Sequence, residues 1–220
     1  MTMNPMLSET KFAHGMAIAA LITVAITSLV LDQVTKIHAE DALMVWQDEV
    51  DTKLWQGRRY PIASVGSPVL APDKFYVSLN TNYVRNHGAA WGFLSGVSDS
   101  IRVPFFYAVT LIAVIVIGIY LKTTPPSHRL ARYGLTLILS GAVGNFIDRI
   151  RLGYVIDWID VHWNVMGWRY YFPNFNIADS VITVGVSFLL VDLVVFDTLR
   201  AKKRANDAKS APPAGATEVT

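Results

Sequence analysis

The chain contains no cysteine. Disulfides, thiolate nucleophiles and Cys-based metal sites are therefore excluded. Charge is scarce too: Asp, Glu, Lys and Arg make up 16% of the 220 residues, against about 25% in soluble domains. The formal net charge of +2 is too small for a nucleic-acid binder, and no nucleic-acid partner is expected. The five histidines, His14, His38, His87, His128 and His162, form no His-Glu-x-x-His pair. There is also no phosphate-cradling glycine loop, no Gly-x-Ser-x-Gly turn and no internal repeat. Zincin, P-loop and serine-hydrolase chemistries thus lack their usual signatures.

What abounds is apolar: 52% of residues, bunched into four runs at about 16–36, 103–121, 130–148 and 177–197. Each suffices to cross a hydrocarbon layer of roughly 30 Å at about 1.5 Å per residue. The first run closes on Asp32-Gln33-Val34-Thr35-Lys36 and not on a small-residue cleavage site, so it reads as a span and not as a removed leader. In the second run Pro104 falls in the first turn, where its missing N–H is harmless. The third carries Gly134, Ser140, Gly141, Ala142 and Gly144. Such small residues let helices approach closely in lipid, so this span is expected at the centre of a bundle. In the fourth, Asp192 is expected to reach the membrane surface at the helix end.

Four spans put both termini on one side. Lys122, Arg129 and Arg132 in the short second connection, and Arg200, Lys202, Lys203, Arg204 and Lys209 in the tail, place that side in the cytoplasm. Residues 1–15 then form a cytoplasmic N-terminus, 16–198 a four-span unit, and 199–220 a basic tail expected to be disordered. The outer segment, about 37–102, should form a cap. Ala42, Leu43, Trp46 and Val50 have the spacing of a short interfacial helix, and Phe75, Val77 and Leu79 alternate as in a strand. The second outer loop holds Trp158, Trp163, Trp168, Tyr170, Tyr171 and Phe172, rings suited to the membrane–water interface. The expected fold is an all-α membrane protein: a four-helix bundle with a small β-containing cap.

Carboxylates near membrane depth are costly unless paired, wet or neutral, which makes them functional candidates. Asp32 and Lys36, spaced i,i+4, read as an ion pair. Asp148 and Arg149 read as a structural knot at the outer end of the third span. Asp157, Asp160 and Asp179 flank the aromatic loop. Two carboxylates held at one apolar site cannot both ionise easily, so a pair can share a proton and activate water. Asn86-His87-Gly88-Ala89-Ala90-Trp91 fits a packed turn or a substrate-contacting loop.

Five segments in order resemble the lipoprotein signal peptidase (signal peptidase II) family: Asp32 to Lys36, Asn86 to Trp91, Gly144-Asn145-x-x-Asp148-Arg149, Gly153 to Trp158, and Phe175-Asn176-Ile177-Ala178-Asp179-Ser180. The resemblance covers roughly residues 16–198. It implies an aspartic endopeptidase of the bacterial inner membrane, with its site near the periplasmic face. Its substrates would be diacylglyceryl-modified prolipoproteins, cut before the lipidated Cys. It further implies Asp157 and Asp179 as the catalytic pair. Asp32, Lys36, Asn86, Gly88, Asn145, Asp148, Arg149, Asn176 and Ala178 would be substrate-binding or supporting. No metal or organic cofactor is implied, membrane lipids are expected partners, and a monomer should be active. The stretches from Lys36 to Asn86 and from Asp157 to Asp179 are longer than the family pattern. A proton-coupled transporter using the same carboxylates, or a non-catalytic assembly factor, would be the rival readings. The clustering of carboxylates at the outer span ends argues against a relay through the bilayer depth.

Overall fold

A computed structural model describes residues 5–43, 60–66, 75–87 and 97–210. Four helices are long and apolar enough to cross a membrane. They lie in α1 (Pro5–Leu43), α2 (Asp99–Thr123), α3 (Arg129–Leu152) and α4 (Ile177–Val191), the last running through a π-helical turn (Asp192–Phe196) into α5 (Asp197–Ser210). Large apolar side chains of α2, among them Ile112, Ile115 and Ile119, are more than half exposed. Hydrocarbon, not water, is the medium that suits such a surface.

α3 packs against α1, α2 and α4, the central place its small residues predict. A Cβ on Gly134 would stand 2.7 Å from the Gly185 carbonyl oxygen, and one on Gly185 would stand 2.6 Å from that of Gly134. The backbones of α3 and α4 therefore touch. Gly185, on the partner helix, is the half of this contact that reading α3 alone does not find. Ser28 of α1 and Ser140 of α3 add a hydrogen bond at 2.8 Å.

The sheet is antiparallel, ordered β1 (Tyr60–Val65), β2 (Tyr76–Asn86), β3 (Val155–Val165) and β4 (Trp168–Tyr171). It sits where α1 and α3 end, with α1 against β2 and β3. The alternation at 75–79 is realised in β2. The aromatic loop expected after the third span is instead the β3–β4 hairpin. Val165 pairs with Trp168 across a two-residue turn in which Met166 and Gly167 both have positive φ, the geometry that matches strand twist. Between β2 and β3 the register shifts: Thr81 faces Ile159, but Val84 faces Asp157. This bulge leaves Tyr83 buried with Ile156, Ala39 and Leu43.

Three expectations change. α2 begins at Asp99, so Pro104 lies in its second turn and not its first. The expected interfacial helix over 39–50 is continuous with α1 as far as Leu43, and residues 44–50 lie outside the described residues. The tail is helical to Ser210: Ala201, Lys202, Lys203, Arg204 and Ala205 are strong helix formers that extend a helix already nucleated. Asp192 lies near the end of the fourth span with its carboxylate covered by partners. Arg200 grips it with two bonds of 2.9 Å, and His128 at the start of α3 lies 3.6 Å away.

Substituting Gly134 with Ala should destabilise the protein by about 1–3 kcal/mol through overpacking at the α3–α4 contact. Gly118→Ala on α2, where nothing lies within 4 Å, should not. Thermal unfolding in detergent would compare them.

Candidate active site

The site is assembled around Lys36, which with Asp148 is 0% exposed, beside Asp32 at 1%. The Lys36 ammonium lies 2.9 Å from an oxygen of Asp32 and 2.9 Å from one of Asp148. It donates its third bond to Asn145 Oδ1 at 2.9 Å. A buried ammonium needs every donor used, and α1 and α3 supply the acceptors together. The remaining carboxylate valences are also filled. The Ala178 N–H donates to Asp32 Oδ1 at 2.8 Å, Ile156 N–H to Asp148 Oδ2 at 3.3 Å, and Gln33 to both carboxylates at 3.1 Å.

This arrangement requires Gly144, where a Cβ would lie 2.6 Å from Asp32 Oδ2. It corrects the expected Asp148–Arg149 knot. Adjacent residues on a helix do not face one another. Asp148 turns to Lys36, whereas Arg149 stacks over the Phe106 ring at 5.5 Å and lies within Coulombic reach of Asp179 and Asp157 as well as of Asp148. Tyr107 donates its hydroxyl to the Arg149 carbonyl.

Asn145 and Asn176 carry this frame to the two candidate catalytic carboxylates. With its oxygen held by Lys36, Asn145 aims its amide N–H at Asp179 Oδ1, 2.8 Å away. Asn176 donates to Asn145 Oδ1 at 3.2 Å and to Asp157 Oδ1 at 2.8 Å. It is also the N-cap of α4. Its side chain accepts from Asp179 N–H at 2.9 Å and its own N–H donates to Asp179 Oδ2 at 3.3 Å, a reciprocal capping box. The chain arrives there because Phe175 pairs with Ile159 on β3, setting Asn176 beside Asp157. From β2, Asn86 donates to Asp157 Oδ2 at 2.9 Å. It reaches diagonally from two residues beyond Val84, Asp157's register partner, a separation such side chains can bridge.

Burial, and next the negative charge of Asp179, push the Asp157 carboxyl up to about 7 against the opposing pull of Asn86, Lys36 and Asn176. Asp160 stands apart. Its carboxylate lies 2.7 Å from His162 and accepts from Asn80 at 3.4 Å. Of the residues expected from sequence, Asp32, Lys36, Asn86, Asn145, Asp148, Arg149, Asp157, Asn176, Ala178 and Asp179 converge here, while Gly88 lies outside the described residues. Gln33 was not anticipated, although its place between Asp32 and Lys36 on α1 pointed to it.

Residues 24–195 match the family model for signal peptidase (SPase) II. The chain belongs to the signal peptidase II family. It is 42% identical over 171 residues to a lipoprotein signal peptidase of Geobacter metallireducens, covering 78% of this chain and 88% of that one. It is 40% identical over 174 residues to one of Syntrophus aciditrophicus, covering 79% and 91%. Two solved structures, each described as a bacterial membrane enzyme studied by the in meso method, share the fold. One has a TM-score of 0.58 at 31% identity, covering 81% of this chain and 94% of that one. The other has a TM-score of 0.56 at 28% identity, covering 92% and 96%. A peptidase is thereby favoured over a transporter.

Replacing Lys36 with Met would leave two carboxylates buried without a cation. Stability should fall by about 3–5 kcal/mol. Glu40→Ala, which removes a partly exposed partner 3.8 Å from Arg151, should cost less than about 1 kcal/mol. Denaturation in detergent distinguishes the two.

Proposed function

We propose that this protein is an aspartic endopeptidase of the bacterial inner membrane that removes signal peptides from diacylglyceryl-modified prolipoproteins, cutting before the lipidated Cys. The observation that carries this reading is the linkage of Asp157 and Asp179 through Asn176, within one hydrogen-bonded network. The pair shares one proton, and burial with the neighbouring charge supports placing it on Asp157. Asp179 takes a proton from water as it attacks the scissile carbonyl. Asp157 donates a hydrogen bond to that carbonyl oxygen and stabilises the charge developing there. Asn86, Asn145 and Asn176 fix the carboxyl orientations, and the Arg149 guanidinium adds positive charge beside them.

Basic residues of the α2–α3 connection and of α5 support a cytoplasmic location for both termini. The sheet then caps the bundle on the periplasmic side, with the carboxylate pair at that surface. Acyl chains of the substrate gain roughly 0.8 kcal/mol per methylene by staying in hydrocarbon, so recognition needs no charged groove. All network residues come from one chain, which supports an active monomer.

Purified protein in lipid vesicles should cleave a diacylglyceryl-modified prolipoprotein before the lipidated Cys. Asp157→Asn and Asp179→Asn should each slow cleavage by about a hundred- to ten-thousand-fold, with Asp160→Asn near wild type. Full activity in either of the first two variants would refute the dyad. A transporter would instead give proton flux without cleavage.

The pH profile follows from Asp157. Cleavage requires its proton, so the rate should fall as pH rises above about 7. Asn86 favours the ionised form, and Asn86→Ala should therefore move this alkaline limb upward by about one pH unit. A downward shift would contradict the assigned role.

A further inference from the structure

α2 carries none of the motif residues, yet it touches the site at one point. Its large apolar side chains are turned outward: Phe105, Val109, Ile112 and Ile115 are 43%, 46%, 60% and 53% exposed. Phe106, at 9%, is the one buried residue of α2 among those described. The Arg149 guanidinium lies over its ring, 5.5 Å from the centroid, within the range of a cation–π contact. The next residue, Tyr107, donates its hydroxyl to the Arg149 carbonyl and sets its ring against the Phe146 ring, edge to face, at 5.9 Å. Two adjacent residues of α2 thus hold Arg149 by its side chain and by its backbone.

The guanidinium is kept near the carboxylate pair and apart from it. Asp179 and Asp157 act on its charge, ahead of Asp148. Its hydrogen bond nevertheless goes to the Asn145 carbonyl, 3.2 Å from Nη1, and among the described residues it pairs with no carboxylate. An arginine in direct contact with a carboxylate grips its oxygens and keeps it ionised. Such a grip on a pair that shares one proton would remove the acid. A cation that stands off eases the remaining negative charge and leaves the proton in place. The position of the guanidinium therefore matters as much as its presence, and the Phe106 ring occupies its planar face.

We propose that Phe106 is a positioning residue, whose ring parks the Arg149 guanidinium beside the Asp157–Asp179 pair without letting it bond to either member. With the ring gone, the strongest attraction left to the cation is the pair itself, and the guanidinium swings towards it. The other charges around the pair are already engaged. Lys36 of α1 is surrounded by Asp32, Asp148 and Asn145. At the end of β2, Arg85 and His87 lie against the Tyr154 ring at 4.9 and 5.2 Å. A cation drawn closer favours the ionised form of Asp157, so that carboxyl should lose its proton at lower pH. The inference rests on the reading of Asp157 as the acid of the pair.

The test uses the full chain in lipid vesicles and two readouts. One is the pH profile for cleavage of a diacylglyceryl-modified prolipoprotein. The other is the infrared carbonyl band of the protonated Asp157 carboxyl, assigned by its loss in Asp157→Asn. Phe106→Leu should move the alkaline limb and the titration of the band down by about one pH unit or more. Phe106→Tyr, which keeps the ring, should titrate like wild type. In an Arg149→Gln background Phe106→Leu should cause no further shift, because the effect runs through the guanidinium. Phe106→Met provides the same comparison should the leucine variant not fold. A slower Phe106→Leu enzyme whose limb and band stay in place would make Phe106 a packing residue and overturn the proposal. So would an upward shift, a full shift in the absence of Arg149, or a wild type without the Asp157 band. Cleavage without the shift sinks only the role of Phe106. A band that shifts as expected, in protein that cleaves nothing, sinks only the peptidase reading.

Discussion

The buried ammonium of Lys36 is the constraint on which the rest of the site depends. Three acceptors must surround it, and they come from two helices: Asp32 on α1, Asp148 and Asn145 on α3. Such a cluster contributes little net stability compared with well-packed hydrocarbon. Its consequence is directional. Because Lys36 and Asn176 both donate to the oxygen of Asn145, the nitrogen of that amide has one orientation left, towards Asp179. A leucine-packed helix pair would hold α1 to α3 equally well and leave that carboxylate unaimed.

The electrostatics in turn depend on close packing. Asp32 can reach Lys36 and the Ala178 N–H because Gly144 presents no side chain to it. A Cβ on Gly141 would stand 2.5 Å from the Ala178 carbonyl, so this glycine brings the start of α4 against α3. That approach puts the capping box of Asn176 and Asp179 beside Asn145. Small residues and buried charges, which read as separate features along the chain, are two aspects of one requirement. Polar groups at this depth must reach each other directly, since hydrocarbon offers them no partner.

The spans were legible because length and apolarity suffice to mark them, and α3 announced its central place through its glycines. The carboxylates, asparagines and Arg149 were legible as motifs, not as geometry, which is why Asp148 was assigned to its sequence neighbour and not to Lys36. β3 was missed for a different reason. Its residues do alternate, with Ile159, Val161 and Trp163 between Asp160, His162 and Asn164, but here the polar set is the buried one. The alternation is inverted from that of an ordinary half-buried strand, and the tryptophans suggest an interfacial loop instead. The stretch between Asp157 and Asp179 holds this hairpin, folded back so that Phe175 returns to β3 beside Asp157. The i,i+8 grip of Arg200 on Asp192 across a π-helical turn is invisible to a helical wheel.

The proposed chemistry gives a reason for joining these two kinds of structure. Hydrolysis of a lipid-anchored peptide needs water on one reactant and hydrocarbon around the other. Asp157 is carried by a strand of the sheet, and Asp179 by the first turn of a helix that continues into the bilayer. Asn176, which donates to Asp157 and caps the helix that carries Asp179, joins the two elements. Burial, and next the charge of Asp179, favour a proton on Asp157 near neutral pH. A dyad placed deeper would lack water. One exposed to water would ionise fully and lose the acid on which the reaction depends.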